Sequence, residues 1–485
     1  MKVTFIYPDF FQFPDGSFMP EGRLYLGLAY LSAVLKGAGH RTSLIHVVEP
    51  PEREWLLERV REESPDLIGF SSTTHMFKHV SRWAGWLKGT GTPTVCGGVH
   101  PTICPVDVVD TGGIDMACRG EAEETLVELC DTLEKGGDVS AIPGLCMRRG
   151  GRLIMNPARP LLADLDSLPF PHRSLFDPAL FCSEQHPRGT LMASRGCPFN
   201  CSYCSNHAQK SVYPNPRDYV RFRSPENVIR EIEQMIASEP RIEFIRFDDD
   251  ILTIDRDWLG ELSLLYRRRV KLPFICNSRV NFIDKPMVEL LADMGCKVVC
   301  LGIESGNPWL REKILNRRMS NRKIIEAFAA CREAGIKTVS TNMVGLPFED
   351  ASMVLDSIRL NGMCHPDTIQ VSTFIPYPNT KLFRVCEENG LIEGDLADSI
   401  FEGRSPLKAR ETGWEHGALK ANFHTLAYVY ARLDDLRVKS LSRAASRALD
   451  RLVLSSLIPS SLRRNAFQKL IKHTAGRFQP DLIKY

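Results

Sequence analysis

A chain of 485 residues is too long for one ordinary domain and implies two or three, each able to bury a core of its own. With 43% hydrophobic and 25% charged residues it has the balance of a water-soluble globular protein, and a net charge of +2 argues against nucleic acid as a main partner. Its 15 cysteines are scattered through apolar segments and form no framework in a short secreted chain, which points to a reducing, cytoplasmic setting. No secretion signal is visible at Met1 to Tyr7, and no apolar run reaches the roughly 20 residues of a membrane span.

In chain order, Lys2 to Tyr7 reads as a short buried strand, and the loop from Pro8 to Gly22 leads to an amphipathic helix over Gly27 to Leu35 that Gly37 and Gly39 stop. A strand follows at Thr42 to Val47, a helix at Glu52 to Glu63, a strand at Pro65 to Ser71 and a helix to about Leu87. The strand Pro93 to Cys96 then ends in Gly97-Gly98. This alternation predicts that residues 1–140 form a doubly wound, Rossmann-like α/β domain, whose ligands bind beyond the carboxyl ends of its strands. The loops at those ends are Ser71-Ser72-Thr73-Thr74-His75, Gly97-Gly98-Val99-His100-Pro101 and Arg119-Gly120-Glu121-Ala122-Glu123. Glycines let a backbone approach a bulky ligand and hydroxyls bond its polar parts, although the same residues also serve as ordinary strand-end turns. His75, His79 and His100 read as loop or pocket-wall residues, not as metal ligands.

Residues 141–185 read as a hairpin and an extended, proline-bearing linker. A strand at Thr190 to Ser194 then enters Arg195-Gly196-Cys197-Pro198-Phe199-Asn200-Cys201-Ser202-Tyr203-Cys204. Three cysteines at CxxxCxxC spacing can hold three corners of an iron-sulfur cube and leave the fourth iron open to a small molecule. Structural zinc is the alternative, with His207 as a fourth ligand, but the paired CxxC motifs typical of such sites are missing. Further strands end in polar loops: Ile242 to Phe247 before Asp248-Asp249-Asp250, Phe274 to Ser278, Val298 to Ile303 before Glu304-Ser305-Gly306, Thr338 to Val344 before Gly345-Leu346-Pro347, and Ile369 to Phe374.

Cys197, Cys201 and Cys204, with Tyr203 as the cofactor-packing aromatic, resemble the signature of the radical S-adenosylmethionine (SAM) enzymes. The N-terminal loops, with their strand-end hydroxyls Ser71, Ser72 and Thr73, the glycines Gly97 and Gly98 with His100, and Gly120 with Glu121, resemble the cobalamin-binding domain that precedes many members of that family. The resemblance implies a 4Fe-4S cluster on the three cysteines, SAM chelated to the open iron, and cobalamin on the first domain. It implies a partial (β/α)6 TIM-type barrel over residues 186–385, its six strands counted from Leu191. It also carries roles over: Asp248 and Asp249 toward the methionyl amine, Ser278 and Arg279 toward the carboxylate, Glu304 and Ser305 toward the ribose or methionyl end, and Gly345 and Pro347 near the adenine. The DxHxxG motif that supplies a lower cobalt ligand in other cobalamin domains is absent, so no such ligand can be named.

Residues 386–485 read as a C-terminal helical region, with helices at Trp414 to Arg437 and Arg437 to Leu457. The second is basic and amphipathic, suited to packing on its own domain, to covering a substrate cavity or to contact with an anionic membrane surface. The function implied is methylation of an unactivated carbon through a 5'-deoxyadenosyl radical and methylcobalamin, with an electron donor such as flavodoxin or ferredoxin. Ring-forming or rearranging radical SAM chemistry without methyl transfer is an alternative, and a cobalamin-binding sensor is a second. Aromatic and apolar residues from Phe374 to Tyr377, with the basic tail, hint at a lipid or large hydrophobic natural product as the small-molecule substrate.

Overall fold

The computed structural model describes residues 1–12, 17–20, 22, 24–180, 182, 187–394, 405–408, 423, 426–431, 444–445 and 448. They divide into two compact units, the first comprising residues 1–231 and 377–384, the second 232–376 and 385–485.

The first unit is built on a seven-stranded sheet of β1 (Lys2–Pro8), β2 (Arg41–Val47), β3 (Leu67–Ser71), β4 (Thr94–Gly97), β5 (Met116–Cys118), β6 (Leu145–Arg149) and β7 (Arg152–Met155). Its order is β2-β1-β3-β4-β5-β6-β7, with the first five parallel and the β6–β7 hairpin added antiparallel at one edge. Phe5, together with Leu28 and Leu35 of α1 (Leu26–Gly37) and Leu126 and Leu129 of α6 (Glu123–Glu134), packs one face. On the other face Ile6, Ile45 and Phe70 meet α2 (Arg53–Glu63), α3 (Phe77–Leu87) and α5 (Pro105–Asp110) through Val60, Trp83 and Val108. Successive strands bury both faces, so they read as near-continuous apolar runs, and the doubly wound expectation holds. The order in which strands are added reverses between β1 and β3, which opens a crevice at the carboxyl ends of these two parallel strands.

The same unit carries β8 (Arg188–Leu191), the short antiparallel pair β9 (Ser194–Arg195) and β10 (Arg221–Phe222), the helix α4 (Val99–Ile103) and the helix α7 (Ser205–Lys210). The cysteine loop lies between β9 and α7.

The second unit contains the parallel strands β11 (Phe244–Phe247), β12 (Phe274–Ser278), β13 (Cys296–Glu304), β14 (Lys337–Val344) and β15 (Thr368–Thr373), paired in sequence order. Together with β8 they make up the six strands expected from Leu191 onward. The helices between them start where the chain supplies a cap: Asp255, Asp284, Ser320 and Asp350 each accept the backbone N–H three residues on, opening α8 (Arg256–Arg269), α9 (Lys285–Met294), α10 (Asn321–Glu333) and α11 (Ala351–Cys364). Phe423, Leu426, Ala427 and Tyr430 are helical and pack with Val344, Leu355, Ile358 and Val371. Most of the helix expected at Trp414 to Arg437 and of the basic helix at Arg437 to Leu457 lies outside the described residues. No described helix is long and apolar enough to cross a membrane.

Candidate active site

Gly196 opens the cysteine loop at φ +89°, and a Cβ there would run into the carbonyl of Tyr219 at the entry to β10, so only glycine lets β9 and β10 close at this point. The Cys204 N–H donates to the Cys201 carbonyl at 3.2 Å, which folds the CxxC half into a tight turn. Cys201 is buried, while Cys197, Tyr203 and Cys204 are partly exposed. A single zinc ion at Zn–S of about 2.3 Å would gather its ligand atoms to within about 4 Å of one another. Among the described residues, the three sulfurs belong to no group of ligand atoms lying within 4.8 Å of one another. His207 is also committed elsewhere, since its Nε2 accepts the backbone N–H of Lys381 at 3.0 Å. The Lys210 ammonium donates to the Pro198 carbonyl and lies in the field of Cys197 and Cys201, although burial lowers its pKa.

In the first unit, Ser71, Gly97, Gly98, Gly120 and Glu121 converge on one cleft of about 180 Å³, which Tyr25 and Arg195 also line. Gly97 keeps it open, for a Cβ there would meet nothing nearer than Cys118 at 3.9 Å. Gly98 takes φ +105°, and its Cβ would lie 2.8 Å from the Ser72 carbonyl, so its lack of a side chain is a requirement of the turn. Of the three strand-end hydroxyls only Ser71 lines the cleft, bonded to the Tyr25 phenol at 3.1 Å. Ser72 turns its hydroxyl to the Thr73 carbonyl, and Thr73 is exposed. His100 is buried against Phe77 at 4.1 Å, with Nδ1 3.3 Å from Thr74 Oγ1 and Nε2 unpartnered; burial pushes its pKa down to about 4, so the ring is neutral.

Glu121 has a second set of partners. Its carboxylate receives Arg195 at 3.0 Å, Arg221 at 2.7 and 2.9 Å, and the Leu162 N–H at 3.1 Å. Burial alone would raise its pKa, but the bonds and charge from Arg221 and Arg195 outweigh that and hold it below the ordinary value. Arg195, the residue two before Cys197, also reaches Glu123 at 2.7 Å and covers the Tyr30 ring at 5.4 Å. The Tyr213 phenol receives the Glu121 N–H at 2.8 Å. The Gly-Glu turn thus fastens the strand of the cysteine loop to the crevice of the first sheet, a role that no local pattern could reveal.

In the second unit, the expected SAM-side residues all stand at carboxyl ends of strands. Asp248 pairs with Arg246 at 2.7 Å, and Asp249 is almost fully buried, with its carbonyl held by Asn277 at 3.0 Å. The Ser278 hydroxyl meets that of Thr253 at 2.6 Å, and the buried Arg279 donates to Asn281 at 2.9 Å. Glu304 adopts φ +65°, a strained backbone for a residue with a side chain, and receives the Thr341 hydroxyl at 3.2 Å. Ser305 is fully buried and accepts the Asn307 N–H. Gly345 at φ +78° begins a turn, containing Pro347, that Glu349 closes by accepting the N–H groups of Gly345 at 2.6 Å and Leu346 at 3.1 Å. Glu349, given no role from the sequence, is fully enclosed; burial outweighs those two donors and raises its pKa to about 8. The G-x-x-x-E spacing was its one available signal. Phe374 and Ile375 are buried, and the Tyr377 phenol is engaged by His75, so this apolar run is packing and not an open substrate wall; the hint of a hydrophobic substrate loses that support.

Comparison with known proteins identifies a domain in each half of the chain. The radical SAM superfamily matches residues 191–360 and the B12 binding domain matches residues 25–130. The chain therefore carries a radical SAM domain with a B12-binding domain in front of it, and the two domains together imply a 4Fe-4S cluster, SAM and cobalamin. It is 28% identical over 371 residues to an uncharacterised methyltransferase of Pyrococcus horikoshii, covering 76% of this chain and 79% of that one. It is also 28% identical over 404 residues to the anaerobic magnesium-protoporphyrin IX monomethyl ester cyclase of Cereibacter sphaeroides, covering 79% of this chain and 63% of the cyclase. Among solved structures, the radical SAM methyltransferase TsrM of Kitasatospora setae, with cobalamin and a 4Fe-4S cluster bound, shares the fold with a TM-score of 0.64 at 18% identity, covering 81% of this chain and 79% of TsrM.

Proposed function

We propose that the protein is a cobalamin-dependent methyltransferase that adds a methyl group to an unactivated carbon of a small molecule. The observation that carries the reading is the Glu121 hub, which holds the cysteine loop against the strand-end cleft of the B12-type sheet within one compact unit. When bound, the cofactors supply the electron, the radical and the methyl group. The chain's part is to hold and orient them. Cys197, Cys201 and Cys204 bind the cluster, with Tyr203 packing beside it. Ser71, Gly97, Gly98 and Gly120, which line the strand-end cleft, receive cobalamin. Asp249 and Arg279 offer opposite charges for the two ends of a methionyl group, Glu304 offers a carboxylate for the amine or ribose, and Gly345 with Pro347 shapes a turn for the adenine. A low-potential one-electron donor of the flavodoxin or ferredoxin kind completes the set.

The cyclase relative supports a second outcome, oxidative ring closure without methyl transfer. The test is the visible spectrum of anaerobically purified protein, followed by incubation with SAM, a reductant and candidate substrates. An iron-sulfur shoulder that vanishes in Cys201→Ala, corrin bands and a product heavier by one CH2 are expected. A product lighter by H2 moves the assignment to the cyclase outcome, and absence of both chromophores overturns it.

A further inference from the structure

The segment following the last strand of the second unit belongs, by its contacts, to the first. Residues 377–384 make hydrogen bonds in two directions within that unit. Toward the B12-type domain, the Tyr377 phenol lies 2.6 Å from His75 Nε2, in the loop after β3, and Asn379 Nδ2 donates to the Ile103 carbonyl at 2.8 Å and contacts Cys104 Sγ at 3.3 Å, at the end of α4. Toward the cysteine loop, the Leu382 N–H donates to the Ser202 carbonyl at 2.9 Å, and the Lys381 N–H donates to His207 Nε2 at 3.0 Å, on α7. Beneath it, Ile103 and Cys104 of the first domain pack with Ala208 of α7. The segment is itself rigid: Thr380 is fully buried, and its hydroxyl donates to the Tyr377 carbonyl at 2.7 Å and accepts the Phe383 N–H at 3.2 Å. Asn379 stands at φ +60°, a conformation that Gly and Asn tolerate best, and Asn alone of the two brings an amide to spend on Ile103.

We propose that Tyr377–Arg384 is a clamp that fixes the cysteine loop on the B12-type domain, with Tyr377 and Asn379 as positioning residues that set the spacing of the two cofactors. The purpose of fixed spacing is coupling: a radical formed at the cluster side is useful only when the methyl donor stands in line with the substrate, and a displacement of about 1 Å is enough to cost reaction efficiency. The Glu121 hub anchors one side of the loop, at Arg195, and the clamp anchors the other, at Ser202 and α7. The inference rests on the two-cofactor reading above.

The test compares wild type with Asn379→Gly, which tolerates the left-handed backbone and removes the amide with its methylene, and with Tyr377→Phe, which removes only the hydroxyl. Amide hydrogen exchange over residues 197–204 is measured first, because it needs neither activity nor an intact second cofactor. Exchange is expected to speed up about fivefold in each variant, the population effect of one neutral hydrogen bond. In the loaded enzyme, iron, sulfide and cobalamin contents stay at wild-type levels. The spin-spin interaction between the reduced cluster and cob(II)alamin becomes weaker or more dispersed, and the 5'-deoxyadenosine formed per methyl transferred rises about fivefold. Unchanged exchange over 197–204 overturns the clamp. A lower melting temperature with an unchanged spin interaction and an unchanged deoxyadenosine ratio leaves the segment a mere packing element and overturns it too. Failure of wild type to retain corrin or cluster strikes the proposed function instead, and the exchange measurement still decides the clamp.

Discussion

Replacing Glu121 by alanine should destabilise the first unit through one identifiable group, Arg221. The hub holds two arginines and two carboxylates, Arg195 and Arg221 with Glu121 and Glu123, and is neutral as it stands. Without Glu121, Arg195 retains Glu123, but Arg221, with only 8% of its side chain exposed, retains the Leu162 carbonyl and no hub carboxylate. Breaking a fully buried pair from one side costs about 3–5 kcal/mol. Exposures of 19% for Glu121 and 17% for Arg195 admit some solvent screening, which brings the expected loss to about 2–3 kcal/mol. With a urea dependence of about 2–3 kcal/mol per molar, the unfolding midpoint should fall by about 1 M. Fluorescence of Trp83, buried in the first unit's core, reports the transition. The second variant carries the logic: Glu121→Ala with Arg221→Met replaces the stranded charge by an apolar chain and should recover about half of the loss. A double variant no more stable than the single one refutes the argument that an uncompensated guanidinium is the cause. Acid gives an independent check, since the native pKa of Glu121 lies below its ordinary 4.5. Its contribution is fully present above that value and is lost as pH falls through the lower native pKa, so wild type and Glu121→Ala should converge only below pH 4.5.

Gly97→Ala should fold normally, because its Cβ makes only an ordinary contact with Cys118, and should still weaken cobalamin retention about tenfold in equilibrium dialysis by filling the cleft; Gly98→Ala should in addition lower the melting temperature, because its Cβ strikes the Ser72 carbonyl. Glu349 gives the opposite pH sign from Glu121. With its carboxyl raised to about 8, the folded state keeps a proton that the unfolded chain releases from about pH 4.5, so stability falls as pH rises from 4.5 to 8. Glu349→Gln should flatten that slope in urea midpoints taken across the window, and an unchanged slope would rule Glu349 out as its source. Glu304→Gln should weaken SAM binding about tenfold with iron and sulfide content unchanged, whereas full affinity would remove Glu304 from the SAM site.

What could be read from the chain was what short-range chemistry specifies. The cysteine spacing is contained in one loop, and parallel strands buried on both faces appear as apolar runs ended by glycine or capping residues, so the alternation and the six later strands were legible. Glu121 shows where such reading stops. In sequence it sits in a glycine-bearing strand-end turn, indistinguishable from a ligand contact, yet its carboxylate is taken by arginines 74 and 100 residues away. The Tyr377 phenol finds His75 across 302 residues, and nothing near Tyr377 distinguishes a clamp from an apolar wall. Gly196 belongs to both kinds. Its presence beside the first cysteine marks a tight loop, but its reason is the Tyr219 carbonyl, which leaves no room for a Cβ. In the proposed assignment, residues that bind cofactors are marked by local type and spacing, while residues that fix how far apart two cofactor loops stand act through partners far along the chain. The second group is where variants should change coupling without changing cofactor content, and it begins with Glu121, Tyr377 and Asn379.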